Sequence, residues 1–117
     1  MKKEPEIFLE HILESINLIE EYAKGKTKND FLKLISLQDM IIRRLEIIGE
    51  AVKNLPQEIK DKYIDVPWKK IAGMRDKLIH EYFGIDIEFT WGVIEKDLPY
   101  LKKRIIEIKK NLEKEIK

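Results

Sequence analysis

The sequence predicts an all-α fold, an up-and-down bundle of four to five helices with a short extra helix before the C-terminal one. Apolar residues recur every three or four positions through most of the chain, and no segment alternates as a strand does. Only 5 glycines and 4 prolines are available to interrupt helices. The 117 residues fit one domain, so 1–117 is predicted to be a single helical unit.

The N-terminal half is predicted to hold two long helices. The first spans about residues 5 to 24 and ends at Gly25, a residue type favoured just after a helix. Asn29 or Asp30 can cap the second, whose apolar stripe runs unbroken to Leu55, before Pro56. At ~1.5 Å per residue this second helix would be close to 40 Å long.

The C-terminal half is predicted to hold two short and two major helices. The polar stretch 56–65 holds a short turn of helix, and Pro67 begins a major helix, Trp68 to Phe83, that ends at Gly84. Asp86 caps a further short helix, and Asp97 with Pro99 restarts the chain into the last helix, 98 to about 116. The last helix has a basic side, which is either a solvated face or an RNA-backbone contact: Lys102, Lys103, Arg104, Lys109 and Lys110.

Composition excludes several classes of function. Without cysteine the chain has no disulfides, thiolate zinc sites or cysteine nucleophile. Lys and Arg total 23 against 22 Asp and Glu, a net charge of +1 that argues against coating nucleic acid by bulk charge. No apolar run approaches a membrane span and no signal peptide is evident, so we expect a cytoplasmic protein without membrane contact. The Glu-x-x-His pattern of di-iron bundles is absent, so no metal or cofactor is expected.

One segment concentrates reactive side chains. Arg75, Asp76, His80 and Tyr82 place a guanidinium, a carboxylate, an imidazole and a phenol within eight residues near a helix end. The other histidine, His11, has no such neighbourhood in the sequence and is predicted to be a surface residue.

Helical geometry divides this segment between two faces. Arg75 and His80 are five positions apart and point about 140° away from each other, so one helix cannot easily aim both at one atom. Asp76 lies four residues before His80 and can orient the imidazole. Gly73 is on that side too and would let another helix approach closely. This pattern favours a homodimer in which a symmetry mate completes the site.

A purely structural interpretation accounts for the same residues. Arg75 and Asp76 would then form helix ion pairs, Tyr82 would fill the core, and His80 would lie at the negative end of the helix dipole. The spacing alone favours this interpretation. The surrounding sequence favours a functional one.

Several motifs in fixed order carry a family resemblance: Ile47-Ile48-Gly49-Glu50-Ala51, the run from Pro67 to Asp76, Leu78-Ile79-His80-Glu81-Tyr82-Phe83, then Trp91 and Leu98-Pro99. Together they resemble the HEPN superfamily, and within it the HepT-like branch of small bacterial and archaeal ribonuclease toxins. The resemblance covers most of residues 45–101 and includes an intact R-x4-H-x-Y core.

The resemblance implies metal-independent endonucleolytic cleavage of RNA by a homodimer with facing R-x4-H motifs. His80 would act as general base or acid, and Arg75 would hold the scissile phosphate and neutralise charge in the transition state. Asp76 would orient His80. Glu50, predicted to be buried, would either support the site or pack the helices.

The resemblance also implies regulation through Tyr82. Antitoxins of such systems, which resemble type VII, are nucleotidyltransferases that transfer AMP to the tyrosine of this motif. The added charge and bulk would switch the site off. Two alternatives stay open: a non-catalytic HEPN module that binds nucleotide or docks a nucleotidyltransferase, and a helical dimerisation protein without ligand.

Overall fold

The computed structural model describes residues 3–80 and 86–116, and the elements in these ranges are all helical. The predicted all-α bundle is therefore confirmed. Along the chain the elements are α1 (Lys3–Ala23), α2 (Lys28–Lys33), α3 (Ile35–Asn54), α4 (Gln57–Lys62), α5 (Trp68–His80), α6 (Ile87–Gly92), a π-helical turn (Val93–Asp97) and α7 (Leu98–Ile116).

Helix α3 is the centre of the bundle. It packs against α1 on one side and against α5 on the other, while α7 packs against α1 and the π-helical turn. The apolar stripes of these helices meet in one core, whose fully buried members include Leu9, Ile12, Ile16, Ile19, Ile41, Leu45, Ile48, Val52, Ile105 and Ile108. This arrangement leaves the outer face of α3 between α1 and α5.

The long second helix predicted from the sequence is instead two helices. Thr27, rather than Asn29 or Asp30, is the N-cap of α2, and Asp30 returns the bond in a capping box. Leu34 then has an extended backbone that separates α2 from α3. The Gln38 side chain donates to the carbonyls of Phe31 and Leu32, which the break leaves without helical partners.

The C-terminal half differs from the prediction at one junction. Asp86 caps α6 as predicted, its carboxylate accepting from the Phe89 N–H at 3.0 Å. Asp97 does not restart the chain, because Gly92 and Leu98 both have helical backbone angles and the π-helical turn joins α6 to α7 without a break. Residues 81–85 include the predicted end of the third major helix and lie outside the described residues.

The basic side of α7 is largely neutralised by acidic partners. Lys102 pairs with Glu20 at 2.7 Å, Lys109 with Glu10 at 3.8 Å, and Arg104 with Asp65 at 2.8 Å. These ion pairs tie α7 to α1 and to the loop before α5. They favour the structural interpretation of this face over an RNA contact.

Candidate functional site

Gly49 brings α3 and α5 into close contact at Arg75. A Cβ built on Gly49 would overlap the Arg75 Cβ and come within 3.2 Å of the Arg75 Cα. Only a glycine at this position of α3 lets the α5 backbone come so near. The close approach fixes the base of the Arg75 side chain against α3.

The Arg75 guanidinium is held by two carboxylates. Its Nε lies 3.0 Å from the Glu50 Oε1, and its Nη1 donates to the Asp76 Oδ1 at 2.8 Å. The hydrogen bond to Asp76, with the charges of Glu50 and Glu46, raises the pKa of Arg75 above its ordinary value. Arginine is charged throughout the physiological pH range, and the contacts with Glu50 and Asp76 orient its guanidinium.

Glu50 is exposed, so the prediction that it is buried was wrong. Its side chain keeps 49% of its accessible surface. On α3 it lies about 200° from both Ile48 and Val52, which face the core, so it points outward. Asn54 donates to the Glu50 Oε2 at 3.1 Å, which leaves the other carboxylate oxygen for Arg75. Glu50 thus contacts the predicted site residue Arg75, and its role in supporting the site stays a prediction.

An open cavity of about 400 Å³, which we call the arginine cavity, surrounds these groups. Its floor is α3, and α1 and α5 form its walls. It is lined by Phe8, His11, Arg43, Glu46, Ile47, Glu50, Ala51, Asn54 and Arg75. His11 is exposed, as predicted, but no local pattern indicates that it shares a cavity with Arg75, because 64 positions separate them.

The sequence matches the family model "Ribonuclease HepT-like" over residues 12–108, most of the chain. The chain belongs to the ribonuclease HepT-like family. The resemblance carried by the motifs between residues 45 and 101 is thereby confirmed, together with the predicted enzyme class, a ribonuclease.

Three curated relatives support the assignment to the HepT-like family. A protein named "Gamma-glutamylcyclotransferase and putative RNase" from Methanocaldococcus jannaschii is 56% identical over 97% of this chain, which spans 51% of that relative. A "Putative RNase" from Caldanaerobacter subterraneus is 52% identical over 91% of this chain and 95% of its own length. A "Probable ribonuclease HepT" from Thermococcus cleftensis is 44% identical over 94% of this chain and all of its own length. No solved structure matches the chain.

The remaining predicted site residues of this HepT-like chain lie in different places. His80 is the last residue of α5, and its side chain is outside the described part, as is the whole of Tyr82. Asp76 is exposed and contacts Arg75 on the same helix. The predicted pairing of Asp76 with the His80 imidazole therefore stays a prediction.

Gly73 lies away from the arginine cavity. It lines a mainly apolar groove of about 360 Å³ between α5, α6 and the start of α7, which we call the Gly73 groove. Within the described ranges, no atom of another helix lies within 4 Å of a Cβ built on Gly73. Gly73 and Arg75 are two positions apart and so point about 200° apart on α5. Gly73 thus makes no close helix contact within the described part of the chain.

The described residues contain neither a metal-binding cluster nor a membrane-spanning helix. Among residues 3–80 and 86–116, no group of three or more His, Asp or Glu side chains is arranged to hold a metal ion. In the same ranges no helix is both long and apolar enough to cross a bilayer.

Proposed function

We propose that this protein is a metal-independent endoribonuclease whose site combines Arg75 and His80 across a homodimer. The observation that supports this most is the Arg75 guanidinium, fixed by Glu50 and Asp76 at an open cavity of a HepT-like chain. A guanidinium has five N–H donors, and these two contacts use two of them. The same side chain can therefore also bind a phosphate.

The chemistry uses the nucleophile that RNA carries. The His80 imidazole of one subunit takes the proton of the ribose 2′-OH, whose oxygen attacks the adjacent phosphorus as the bond to the 5′-oxygen breaks. A water molecule gives a proton to the departing 5′-oxygen, and the His80 imidazolium returns its proton to the resulting hydroxide. Arg75 stabilises the negative charge that develops on the phosphate oxygens. The products are a 2′,3′-cyclic phosphate and a free 5′-OH.

The biological role in this proposal is that of a toxin held in check by a nucleotidyltransferase antitoxin. Transfer of AMP to Tyr82, two residues after His80, adds a phosphodiester where the substrate phosphate binds. A cytoplasmic location fits such a role. The non-catalytic docking module remains the alternative, and the experiment below separates the two.

Cleavage of a labelled RNA by the purified dimer tests the catalytic proposal. We expect Arg75→Ala and His80→Ala each to lower the rate by about 10² or more, and EDTA to have no effect. Lys110→Ala, at the surface of α7, is the matched control. If both variants cut at the wild-type rate while unfolding cooperatively, the catalytic assignment is wrong and the docking module is favoured.

Mixing the two inactive variants tests whether the site is shared. If Arg75 of one subunit acts with His80 of the other, each Arg75→Ala/His80→Ala heterodimer regains one intact pair. Random exchange of subunits in an equal mixture makes half of the dimers heterodimers, each with one of its two sites intact. About a quarter of the wild-type rate is therefore restored. A mixture that exchanges subunits but stays inactive would contradict a shared site.

A further inference from the structure

The outer face of α3 presents a stripe of polar side chains along the arginine cavity. Arg43, Glu46, Glu50 and Asn54 follow one another at spacings of three or four residues, so they lie in one row. From Glu50, which contacts Arg75, the row extends two helical turns toward the start of α3. The cavity is therefore longer than the group of residues assigned to catalysis.

Arg43 supplies a second guanidinium in this row. It lies seven residues before Glu50, the partner of Arg75, and thus about 10 Å farther along the helix axis. Its side chain keeps 69% of its surface, and its ion pair with Glu46 is 3.6 Å long. A cation two helical turns from the Arg75 contact is placed to suit a phosphate other than the one that Arg75 would hold.

The acidic residues of the cavity do not prevent this use. Glu50 is engaged by Arg75 and Asn54, and the charge of Glu46 also acts on Arg75, so Glu46 keeps a nearby cation when Arg43 turns to a phosphate. The basic residues of α7 differ, because Lys102 and Arg104 pair at 2.7 and 2.8 Å and are about two-thirds or more covered. Pairing with a phosphate therefore costs less free energy at the exposed, loosely paired Arg43 than at Lys102 or Arg104.

The wall opposite Arg75 belongs to α1 and offers a different chemistry. His11 is exposed there and has ring nitrogens that can donate to a phosphate or a base. Phe8 and Ile47 add apolar surface, which suits a ribose or a base. Cations, a hydrogen-bonding ring and apolar side chains are the set that proteins use to hold single-stranded nucleic acid.

We infer that the arginine cavity binds the RNA strand beside the scissile phosphate, with Arg43 on a neighbouring phosphate and His11 on the nucleotide between them. This inference rests on the proposed ribonuclease function and extends it to the substrate. Arg43 and His11 position the strand, whereas Arg75 and His80 act on the reacting atoms.

Binding of a fluorescein-labelled single-stranded oligoribonucleotide, followed by anisotropy, tests the inference directly. The His80→Ala background prevents cleavage during the titration. Arg43→Ala should weaken binding roughly fivefold. It should also make the slope of log K against log salt shallower by about 0.7, the contribution of one phosphate contact to a single strand.

Arg44→Ala is the matched control, because Arg44 is the next residue of α3 and does not line the arginine cavity. It should leave both the affinity and the salt slope unchanged. Equal effects of Arg43→Ala and Arg44→Ala would overturn the inference, since bulk charge would then explain both.

Steady-state cleavage separates positioning from chemistry. Arg43→Ala and His11→Ala should raise KM severalfold and keep kcat within about twofold, because they remove binding common to substrate and transition state. His11→Gln, which keeps a donor, should recover much of the loss. Unchanged KM in both alanine variants would overturn the inference while leaving catalysis by Arg75 intact. If the wild type cuts no RNA, the proposed function fails, and the anisotropy titration still decides whether the cavity binds RNA.

Discussion

Gly49 and Arg75 are in direct contact, because the Arg75 Cβ occupies the space that a Cβ on residue 49 would need. Helices α3 and α5 come closest at the base of the Arg75 side chain. The packing of these helices and the direction of the Arg75 guanidinium therefore depend on the same contact. The next residue of α3, Glu50, then reaches the guanidinium itself. Two consecutive residues of one helix thus fix both ends of the Arg75 side chain.

Gly49→Ala should destabilise the fold. The new methyl group would overlap Arg75 at its Cβ and near its Cα, so α3 and α5 must separate. Overpacking of this kind typically costs about 1–3 kcal/mol. Urea unfolding followed by circular dichroism measures the change, with Gly92→Ala, a site with nothing within 4 Å in the described part of the chain, as the control. Equal stabilities of the two variants would contradict a tight contact at Gly49.

Glu50→Ala should lower kcat roughly 10- to 100-fold, because the Arg75 guanidinium loses the carboxylate that aims it. Glu50→Gln keeps a side-chain oxygen of the same reach beside the Arg75 Nε and should recover most of the rate. Stability should change by less than about 1 kcal/mol, as is usual for exposed ion pairs. Glu58→Ala on α4 is the control. An alanine variant with wild-type kcat would show that Arg75 needs no such support.

Gly73→Ala should weaken the dimer and leave the subunit intact. Within the described ranges the added Cβ meets no atom, and alanine favours a helix interior over glycine by about 1 kcal/mol. If the symmetry mate packs on Gly73, the same methyl group interferes between subunits. Light scattering over a dilution series measures the dissociation constant. Unchanged dimerisation together with higher stability would place the interface elsewhere.

Much of the fold could be predicted from helical periodicity, but the break at Leu34 could not. No glycine or proline marks it, and the apolar stripe continues through it. The break is stabilised by Gln38, which binds the carbonyls of α2, and by Phe31, whose ring packs 5.3 Å from that of Trp91. These contacts are tertiary, so a local pattern cannot reveal them.

The candidate site was predictable only in part. The local motif identified Arg75 and Asp76, but the motif alone did not show that Glu50 faces outward. The angular position of Glu50 relative to Ile48 would have shown it. His11 and Arg43 join the cavity because α1 and α5 pack on opposite sides of α3, and that arrangement follows from the whole core.

Tyr82→Phe should give a nuclease that its antitoxin cannot silence by modification. Phenylalanine keeps the ring but has no hydroxyl to accept AMP, whose phosphodiester would add a charge near −1 close to the substrate phosphate. Intact-mass spectrometry after incubation with ATP and the nucleotidyltransferase should show added AMP on the wild type and on Tyr22→Phe, but none on Tyr82→Phe. AMP on the Tyr82→Phe chain would assign the modification to another residue.

Asp65 should make stability depend on pH at the acid end. Its carboxylate accepts from the Tyr100 hydroxyl and pairs with Arg104 in α7, and these contacts lower the pKa of Asp65 below its ordinary 3.8. The unfolded chain therefore binds a proton more readily than the folded one. The stabilisation is complete well above 3.8 and is lost as pH falls through the lower folded-state pKa.

Asp65→Asn should flatten the dependence of the unfolding midpoint on pH from about pH 5 down to about pH 2. Asp39→Asn, at an exposed position of α3, is the control and should keep the wild-type slope.

The contact between Asp65 and Tyr100 also acts at the alkaline end, because the hydrogen bond to Asp65 raises the pKa of Tyr100 above its ordinary 10.0. That contribution is present below pH 10.0 and disappears as pH rises through the folded-state pKa, so Tyr100→Phe should flatten the alkaline limb. Wild-type slopes in both variants would show that this contact does not anchor α7 to the loop before α5 in solution.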